Sequence, residues 1–385
     1  EECMKISRRV FMGTAVGGMA QVLAAAPIPS GTRPVPVVDI TDLYHPPQDP
    51  GDNMDLIMAY ALPEVDLRAV ILDVTQRYRR PYVNPSDHAY DDPHGQRDPG
   101  FIPVAQLNAI FGRNVPCAAG PFEVMRSPDD EMRDAPAFQQ AGIELLLRVL
   151  RESPEPVEIV SFGSLRPLAV AYNRAPGLMR RKTRCAHIAA GAAPPGFLEW
   201  NVQLDVHAFV RVLRSDLPLA IYPCAAEKSA FDLGMHNTYW QLPDLSFIRR
   251  MRAPLRNYLV YAIERSSRVD FLNALEEEPS EEVMDRVCNR PHNVWETVTW
   301  MAVANRQLVR RADGRCALVP AAQTVPGDTI LPCGLIPCGV AVRDDGQFDV
   351  AFDKSAKRCR IFRRGNPEEN QQALREAMPA LYTSF

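Results

Sequence analysis

Short apolar runs alternate along the chain with segments in which apolar residues recur every three or four positions. The runs predict buried β-strands and the periodic segments predict helices. The strand-like runs are VPVVDI (35–40), LRAVILDV (67–74), VPCAAG (115–120), VEIVSFG (157–163), CAHIAAG (185–191) and LPLAIYPCA (217–225). The helical segments are MDLIMAYAL (54–62), PVAQLNAIFG (103–112), AGIELLLRVLRES (141–153), LRPLAVAYNRAPGLMRR (165–181) and DVHAFVRVLRSD (205–216).

This alternation predicts a three-layer α/β fold, in which a mostly parallel sheet carries helices on both faces. Beyond residue 313 the pattern changes to the strand-like pieces CALVPA, GVAVRDD and FDVAFD, followed by the helical segment PEENQQALREAM. We interpret these pieces as an addition to the same domain, which then extends over residues 31–385. Ligands of such sheets bind beyond the carboxyl ends of the strands.

Composition and charge narrow the class of protein. The chain has 385 residues, of which 46% are hydrophobic, so it can bury a full core. Its formal net charge of -4 gives no polybasic signal and argues against a nucleic acid partner. Nine cysteines include no C-x-x-C pair, which argues against a zinc site of that type. Cys333 and Cys338 could form a disulfide, and free thiols are the alternative.

Residues 1–30 have the layout of an export signal, with Arg8–Arg9 ahead of a modest apolar run that is interrupted by glycines. The arginine pair resembles a twin-arginine signal. We therefore expect export to the periplasm or the exterior, and contact with the membrane only through this segment. The alternatives are an N-terminal anchor and an uncleaved tail.

Five aspartates lie within seventeen residues at and after the end of the first predicted strand. Asp39 and Asp42 close the strand, and a proline-rich loop then brings Asp49, Asp52 and Asp55 to the start of the next apolar run. Five acidic side chains this close together repel one another unless water or a cation screens them. Helix capping and a solvated turn are the alternative interpretation.

Four segments, in order, resemble the inosine–uridine-preferring nucleoside hydrolase family from about residue 35 to the C-terminus. They are the acidic strand end, PVAQLNAIFGRNVPCAAGPFEVM, EIVSFGSLRPLAVAYNRAPGLMRR and, most specifically, GFLEWNVQLDVHAFVRVLRSDLPLAIYPC. A fifth segment, RPHNVWETVTWMAV, is similar to the family's late histidine–aspartate helix start. The resemblance implies the family's layered fold, a bound Ca²⁺ and hydrolysis of the N-glycosidic bond of a nucleoside. It also suggests a homo-oligomer.

The resemblance assigns roles to particular residues. Asp42 matches the base that activates water, and His292 matches the histidine that faces the leaving group. Glu199, Asn201 and Asp52 match residues that bind the ribose. The implied calcium ligands are Asp39, Asp42, Asp52, Asn53, Asp55 and Asn293.

Several positions depart from the family pattern. Asn53 or Leu56 stands where a carboxylate is expected, and Asn293 stands where the family has an aspartate that binds calcium. Ala193 replaces an asparagine, and Arg166 replaces a threonine whose backbone carbonyl binds the ion. A second alignment of the acidic motif begins at Asp49 and ends at Asp55, and the sequence leaves both open.

These departures leave two functions to distinguish. The first is a calcium-dependent N-glycosidic hydrolase acting on a small-molecule nucleoside or glycoside. The second is a protein that binds a nucleoside or sugar on the same fold with weakened or no turnover. The polar segment from Arg77 to Gly100, which contains His88, Asp91, Asp92 and His94, could line the mouth of the pocket.

Overall fold

A computed structural model describes residues 33–79 and 97–385. The predicted export signal (1–30) and most of the polar segment after the second long strand, including His88 and His94, lie outside these ranges. Within the two described ranges, no helix is both long and apolar enough to cross a bilayer.

Strands and helices alternate through the first two thirds of the chain, as the periodicity predicts. The strands are β1 (Val35–Thr41), β2 (Tyr44–His45), β3 (Val65–Leu72), β4 (Asp98–Pro99), β5 (Cys117–Ala119), β6 (Val157–Ser161), β7 (Thr183–Ile188), β8 (Leu219–Ile221), β9 (Trp240–Leu242), β10 (His292–Val294), β11 (Arg306–Arg310), β12 (Cys316–Pro320), β13 (Thr329–Ile330), β14 (Cys333–Val342), β15 (Phe348–Phe352) and β16 (Cys359–Arg364).

The helices vary from a single turn to more than four turns. They are α1 (Pro50–Ala61), α2 (Gln76–Arg79), α3 (Phe101–Phe111), α4 (Ala137–Glu152), α5 (Arg166–Arg174), α6 (Pro176–Lys182), α7 (Trp200–Leu204), α8 (Val206–Arg214), α9 (Ala253–Ile263), α10 (Glu281–Cys288), α11 (Thr297–Val303) and α12 (Pro367–Thr383).

A nine-stranded sheet forms the centre of the molecule, with the strand order β15-β14-β16-β8-β7-β6-β1-β3-β5. Pairing is parallel from β5 to β16 and antiparallel between β16, β14 and β15. The C-terminal strands β14, β15 and β16 therefore extend the same sheet, whereas β12 belongs to a small separate sheet with β11 and β13. The arrangement confirms the predicted three-layer fold class.

Helices cover both faces of the central, parallel part of the sheet. On one face, residues of α4, α5 and α8 pack on the sheet, with Ile143, Leu168 and Phe209 fully buried among them. On the other face, α1, α9, α11 and α12 contribute the buried core, which includes Trp300 and Tyr258. Strands such as β1, β6 and β7 read as apolar runs because they are covered on both sides, whereas β14 and β15 keep exposed positions.

The cysteines that could have formed a disulfide do not do so. Cys333 and Cys338 are both free thiols. Cys333 lies opposite Arg364 and Cys338 lies opposite Cys359 in the pairing of β14 with β16. Both cysteines belong to one extended strand, which keeps them apart, so the free-thiol alternative holds.

Candidate active site

A cavity of about 390 Å³ opens where β1, β6 and β8 end. The turns that follow these strands contribute Asp42, Phe162 and Cys224 to its lining. Among the described residues that line it, none carries a positive charge. The other lining residues are Gln48, Asp49, Asp52, Phe197, Glu199, Trp200, Asn201, Gln203, Ala230, Phe231, Trp295 and Glu296.

Two of the acidic residues near β1 are held by the start of α1. Asp49 is the N-cap of this helix, since its Oδ1 accepts a hydrogen bond from the backbone N–H of Gly51 at 2.7 Å. Pro50 occupies the first helical position, where a missing N–H costs nothing. Asp52 lies in the first turn and reaches the cavity. The acidic loop therefore both caps a helix and lines the cavity.

Gly163 lies beside both Asp42 and a second buried carboxylate, that of Asp73. A Cβ at Gly163 would lie 3.1 Å from the Cβ of Asp42 and 2.8 Å from Oδ2 of Asp73, so only glycine fits between them. Asp73 does not line the cavity, and it accepts hydrogen bonds from the hydroxyl of Ser164 at 2.7 and 2.8 Å. This packing fixes Asp42 at the wall of the cavity.

Glu296 is an acidic lining residue that the sequence analysis missed. It directly precedes α11, and its carboxylate accepts a hydrogen bond from the carboxyl group of Asp55. No local signal pointed to it, because Glu296 makes no capping hydrogen bond and its contact with Asp55 joins residues far apart in sequence. The sequence analysis instead placed the late ligand at Asn293, three residues earlier.

Asn293 lies outside the described lining of the cavity. Its side-chain carbonyl accepts hydrogen bonds from the hydroxyl of Tyr239 and from Nε2 of Gln241, both at 3.1 Å. The structure thus places Glu296, and not Asn293, beside the acidic loop.

The acidic groups raise one another's pKa values. Burial raises the pKa of Asp42 well above its ordinary value, and the charges of Asp73 and Asp49 raise it further. Burial also raises the pKa of Asp52 well above its ordinary value, and the charges of Asp42 and Asp49 raise it further. For Asp55, burial and Glu296 are the leading causes. Each raised pKa means that an additional cation in this cluster would be favourable.

Asp39 lies below the cavity and does not line it. It sits within β1, is fully buried, and its Oδ1 has no hydrogen-bond partner among the described residues. Burial raises its pKa to about 8. The side chain of Asn53 likewise points into the core, where its amide donates to the hydroxyl of Tyr258 at 2.9 Å.

His292 is buried behind the N-terminus of α1. It lines a smaller cavity, together with Asp55 and Glu296, and its Cε1 would lie 3.4 Å from a Cβ at Gly51. Burial lowers its pKa. Glu296 lines both cavities, whereas His292 lines only the smaller one, so the structure places this histidine near the acidic cluster but not on the described wall of the larger cavity.

Glu199 and Asn201 meet at the N-terminus of α7 and line the cavity. Glu199 accepts hydrogen bonds from the backbone N–H groups of Gly191 and Asn201, both at 2.9 Å. Burial raises its pKa to about 7, despite these bonds. The amide of Asn201 donates to the carbonyl of Ala189 at 2.7 Å. The structure brings both residues together with Asp42 and Asp52, more than 140 positions away in sequence.

Arg166 directs its guanidinium away from the described lining. Its Nε donates to Asp205 at 2.8 Å, and Nη1 donates to the carbonyl of Pro121 at 3.0 Å. The side chain is completely buried. Its charge is balanced by Asp205 and by Asp73, whose carboxylate lies 3.8 Å away. The guanidinium does not point into the cavity, where its positive charge would repel a cation.

Aromatic side chains form the rest of the wall. Trp295 is fixed by a hydrogen bond of 2.9 Å from its indole N–H to the carbonyl of Cys224. Its ring packs at centroid distances of 5.7 Å from Phe231 and 5.4 Å from Tyr239. Trp240, by contrast, belongs to the core. The cavity therefore joins an acidic side to an aromatic side.

Comparisons with known proteins were made on sequence and on structure. No family model matches the sequence. The pyrimidine-specific ribonucleoside hydrolase RihA of Citrobacter koseri is 28% identical over 196 residues, which are 45% of this chain and 57% of that relative. The match thus spans little more than half the length of this curated relative.

Two solved structures cover nearly all of the chain. A plant nucleoside hydrolase, PpNRh1, has a TM-score of 0.54 at 15% identity and covers 90% of this chain and 100% of its own. The purine-preferring ribonucleoside hydrolase from Gardnerella vaginalis has a TM-score of 0.51 at 10% identity and covers 90% and 99%. The fold is therefore that of the nucleoside hydrolases. Together with the sequence match, it confirms the resemblance to nucleoside hydrolases.

Proposed function

We propose that the protein hydrolyses the N-glycosidic bond of a nucleoside or a related compound, with a bound Ca²⁺. The observation that carries the proposal is the cavity lining, in which five acidic residues and a wall of aromatic rings meet without a cationic side chain among the described residues. The similarity to RihA, whose name describes a ribonucleoside hydrolase, supports the same reaction class.

The side chains offer a suitable donor set for calcium. Ca²⁺ takes six to eight oxygen ligands, and Asp42, Asp52 and Glu296 present carboxylates to one cavity. Among the described residues, no three of these acidic side chains bring oxygens within 4.8 Å of one another. Binding would therefore require them to converge by changes of rotamer, which their attraction to the cation would favour against their mutual repulsion. A calcium ion held there would acidify a bound water.

The chain's own residues account for the remaining chemistry. Asp42 lines the cavity beside Asp52, and a carboxylate next to a cation-bound water suits the removal of a proton from that water. The surrounding negative charge stabilises a sugar that becomes positively charged as the bond breaks. Glu199 and Asn201 lie where they would hold ribose hydroxyls, and the rings of Trp295 and Phe231 offer an apolar surface to the leaving group.

The direct test is an assay of released sugar with a panel of purine, pyrimidine and pyridine nucleosides. We expect turnover of at least one of them in the presence of Ca²⁺, and loss of turnover with a chelator. Thermal stabilisation by a nucleoside without turnover would instead support the second function, a binding protein on the same fold. Neither turnover nor stabilisation with any nucleoside would overturn both.

Calcium is expected to stabilise the folded protein. At a free concentration 100 times its Kd, a ligand that binds only the folded state adds about 2.7 kcal/mol to the free energy of unfolding. We expect denaturant unfolding to show this gain for the wild type and a smaller gain for Glu296→Gln. As a control, Glu123→Gln removes an exposed carboxylate outside the cavity and should keep the full gain. Equal gains in all three proteins would place the ion elsewhere.

Asn201→Ala is expected to lower kcat/KM about tenfold, since one hydrogen bond to a substrate hydroxyl contributes about 1–1.5 kcal/mol. Steady-state kinetics on the best nucleoside measure the effect. The exposed Asn114→Ala is the matched control and should leave kcat/KM unchanged. If Asn201→Ala retained full kcat/KM, Asn201 would have no contact with the sugar.

A further inference from the structure

A second cluster of chemically distinctive side chains lies on the central sheet, away from the acidic cavity. Glu158 of β6 is paired with Cys185 of β7, and His187 follows two residues later on the same face of β7. The carboxylate oxygen, the thiol sulfur and a ring nitrogen all lie within 4.8 Å of one another. Cys185 and His187 are buried, and the side chain of Glu158 is 12% exposed.

His187 is oriented by a third strand. Its Nδ1 lies 2.9 Å from the hydroxyl of Tyr222, just beyond β8, and the two rings are stacked at a centroid distance of 5.8 Å. With Nδ1 engaged, Nε2 faces the other two groups and lies 3.2 Å from Oε2 of Glu158. A histidine that binds a metal through one nitrogen commonly has the other held by such a partner.

The donor set is that of zinc rather than calcium. A thiolate, an imidazole and a carboxylate suit Zn²⁺ and similar transition metals, whereas Ca²⁺ takes oxygen ligands only. Zn²⁺ holds such ligands at about 2.0–2.3 Å, so two ligand atoms on one ion lie less than about 4.6 Å apart. The observed spacing nearly satisfies this limit without any rearrangement.

The two ionised ligands would neutralise the charge of the ion. Among the described residues, Arg360 also places a positive charge beside the sulfur, since its Nη2 lies 3.9 Å from Sγ of Cys185. This cluster is separate from the acidic cavity, because Glu158 precedes Phe162 by four strand residues, or roughly 13 Å.

We propose that Glu158, Cys185 and His187 form a binding site for Zn²⁺ or a chemically similar transition metal, with a coordination position left for water. The site would tie β6 to β7 within the sheet. It does not depend on the proposed hydrolase function, since none of its ligands lines the acidic cavity.

The test uses the full-length, reduced protein after removal of metals by a chelator. One equivalent of Co²⁺ should produce a thiolate-to-cobalt charge-transfer absorption and the visible bands of a tetrahedral ion, and Zn²⁺ should displace it. Metal analysis should then give one zinc per chain. Absence of the charge-transfer band in folded, reduced protein would overturn the proposal and leave a metal-free ion pair of Glu158 with His187.

Variants assign the site. Cys185→Ala should abolish the band, whereas Cys359→Ala, which removes another buried thiol of the same sheet, should keep it. Glu158→Gln should weaken metal binding without disturbing the core, because the side chain of Glu158 reaches the surface. This second variant tests the site even if Cys185→Ala does not fold. Tyr222→Phe should weaken Zn²⁺ binding about 10- to 100-fold.

A separate variant excludes the acidic cavity as the origin of the signal. Glu296→Gln should leave the cobalt band unchanged. A band that survives Cys185→Ala, or one that Glu296→Gln removes, would overturn the assignment.

Discussion

Replacing Asp42 by asparagine is expected to lower kcat by about 10²–10⁴-fold, the usual contribution of a positioned general base. The substitution keeps the shape of the side chain and removes both its basicity and its charge. Asp42 follows β1, lines the cavity and lies close to Gly163. The measurement is kcat on the nucleoside that the wild type hydrolyses best, at saturating Ca²⁺.

The control for Asp42→Asn is Asp66→Asn. Asp66 lies at the opposite, amino-terminal end of β3 and pairs with Arg68 at the surface. This variant should retain the wild-type kcat. Because Asp42 is also placed among the calcium ligands, the variant should be assayed over a range of Ca²⁺ concentrations. Recovery of full kcat at high Ca²⁺ would mean that Asp42 only binds the ion, and would remove it as the base.

Replacing Asp39 by asparagine is expected to stabilise the calcium-free protein at high pH, by an amount on the order of a few kcal/mol. Asp39 is buried in β1 without a hydrogen-bond partner for Oδ1 among the described residues, and burial raises its pKa to about 8 from an ordinary 3.8. The folded state therefore holds a proton that the unfolded state releases. The contribution of protonated Asp39 to the free energy of unfolding is fully present below about pH 3.8 and is lost as the pH rises through about 8.

The measurement is the free energy of unfolding of wild type and Asp39→Asn, in chelator, between pH 5 and pH 9. The advantage of the variant should grow with pH. Val37→Ala is the control on the same strand: it removes buried volume but no titrating group, so its cost should not change with pH. If Asp39→Asn were instead destabilising at pH 9, or if it removed the stabilisation by calcium, Asp39 would be a charged ligand of the ion.

The sequence predicted much of the fold because its signals are local. Each covered strand reads as an apolar run and each helix as a 3.6-residue period, so their alternation was enough to predict a parallel sheet between two helical layers. The resemblance added the polar residues at the strand ends. Asp42, Asp52, Glu199 and Asn201, assigned to the site from the sequence, do line one cavity in the structure.

The orientation of side chains within one element was the part that the sequence left open. Along α1, successive residues turn by about 100°. Asp52 therefore faces the cavity, Asn53 reaches Tyr258 in the core, and Asp55 meets Glu296. Both alignments of the acidic motif therefore bring a carboxylate to the cavity, and both remain compatible with the structure.

By itself, then, the sequence determined the layered architecture, the acidic strand end and the segment that carries Glu199 and Asn201. Long-range packing brings Glu296 to the acidic cluster and turns Asn293 to Tyr239 and Gln241. The structure alone also brought Glu158 beside Cys185 and His187, since that contact depends on the register between β6 and β7. Such contacts join residues distant in sequence, and no local periodicity or spacing encodes them.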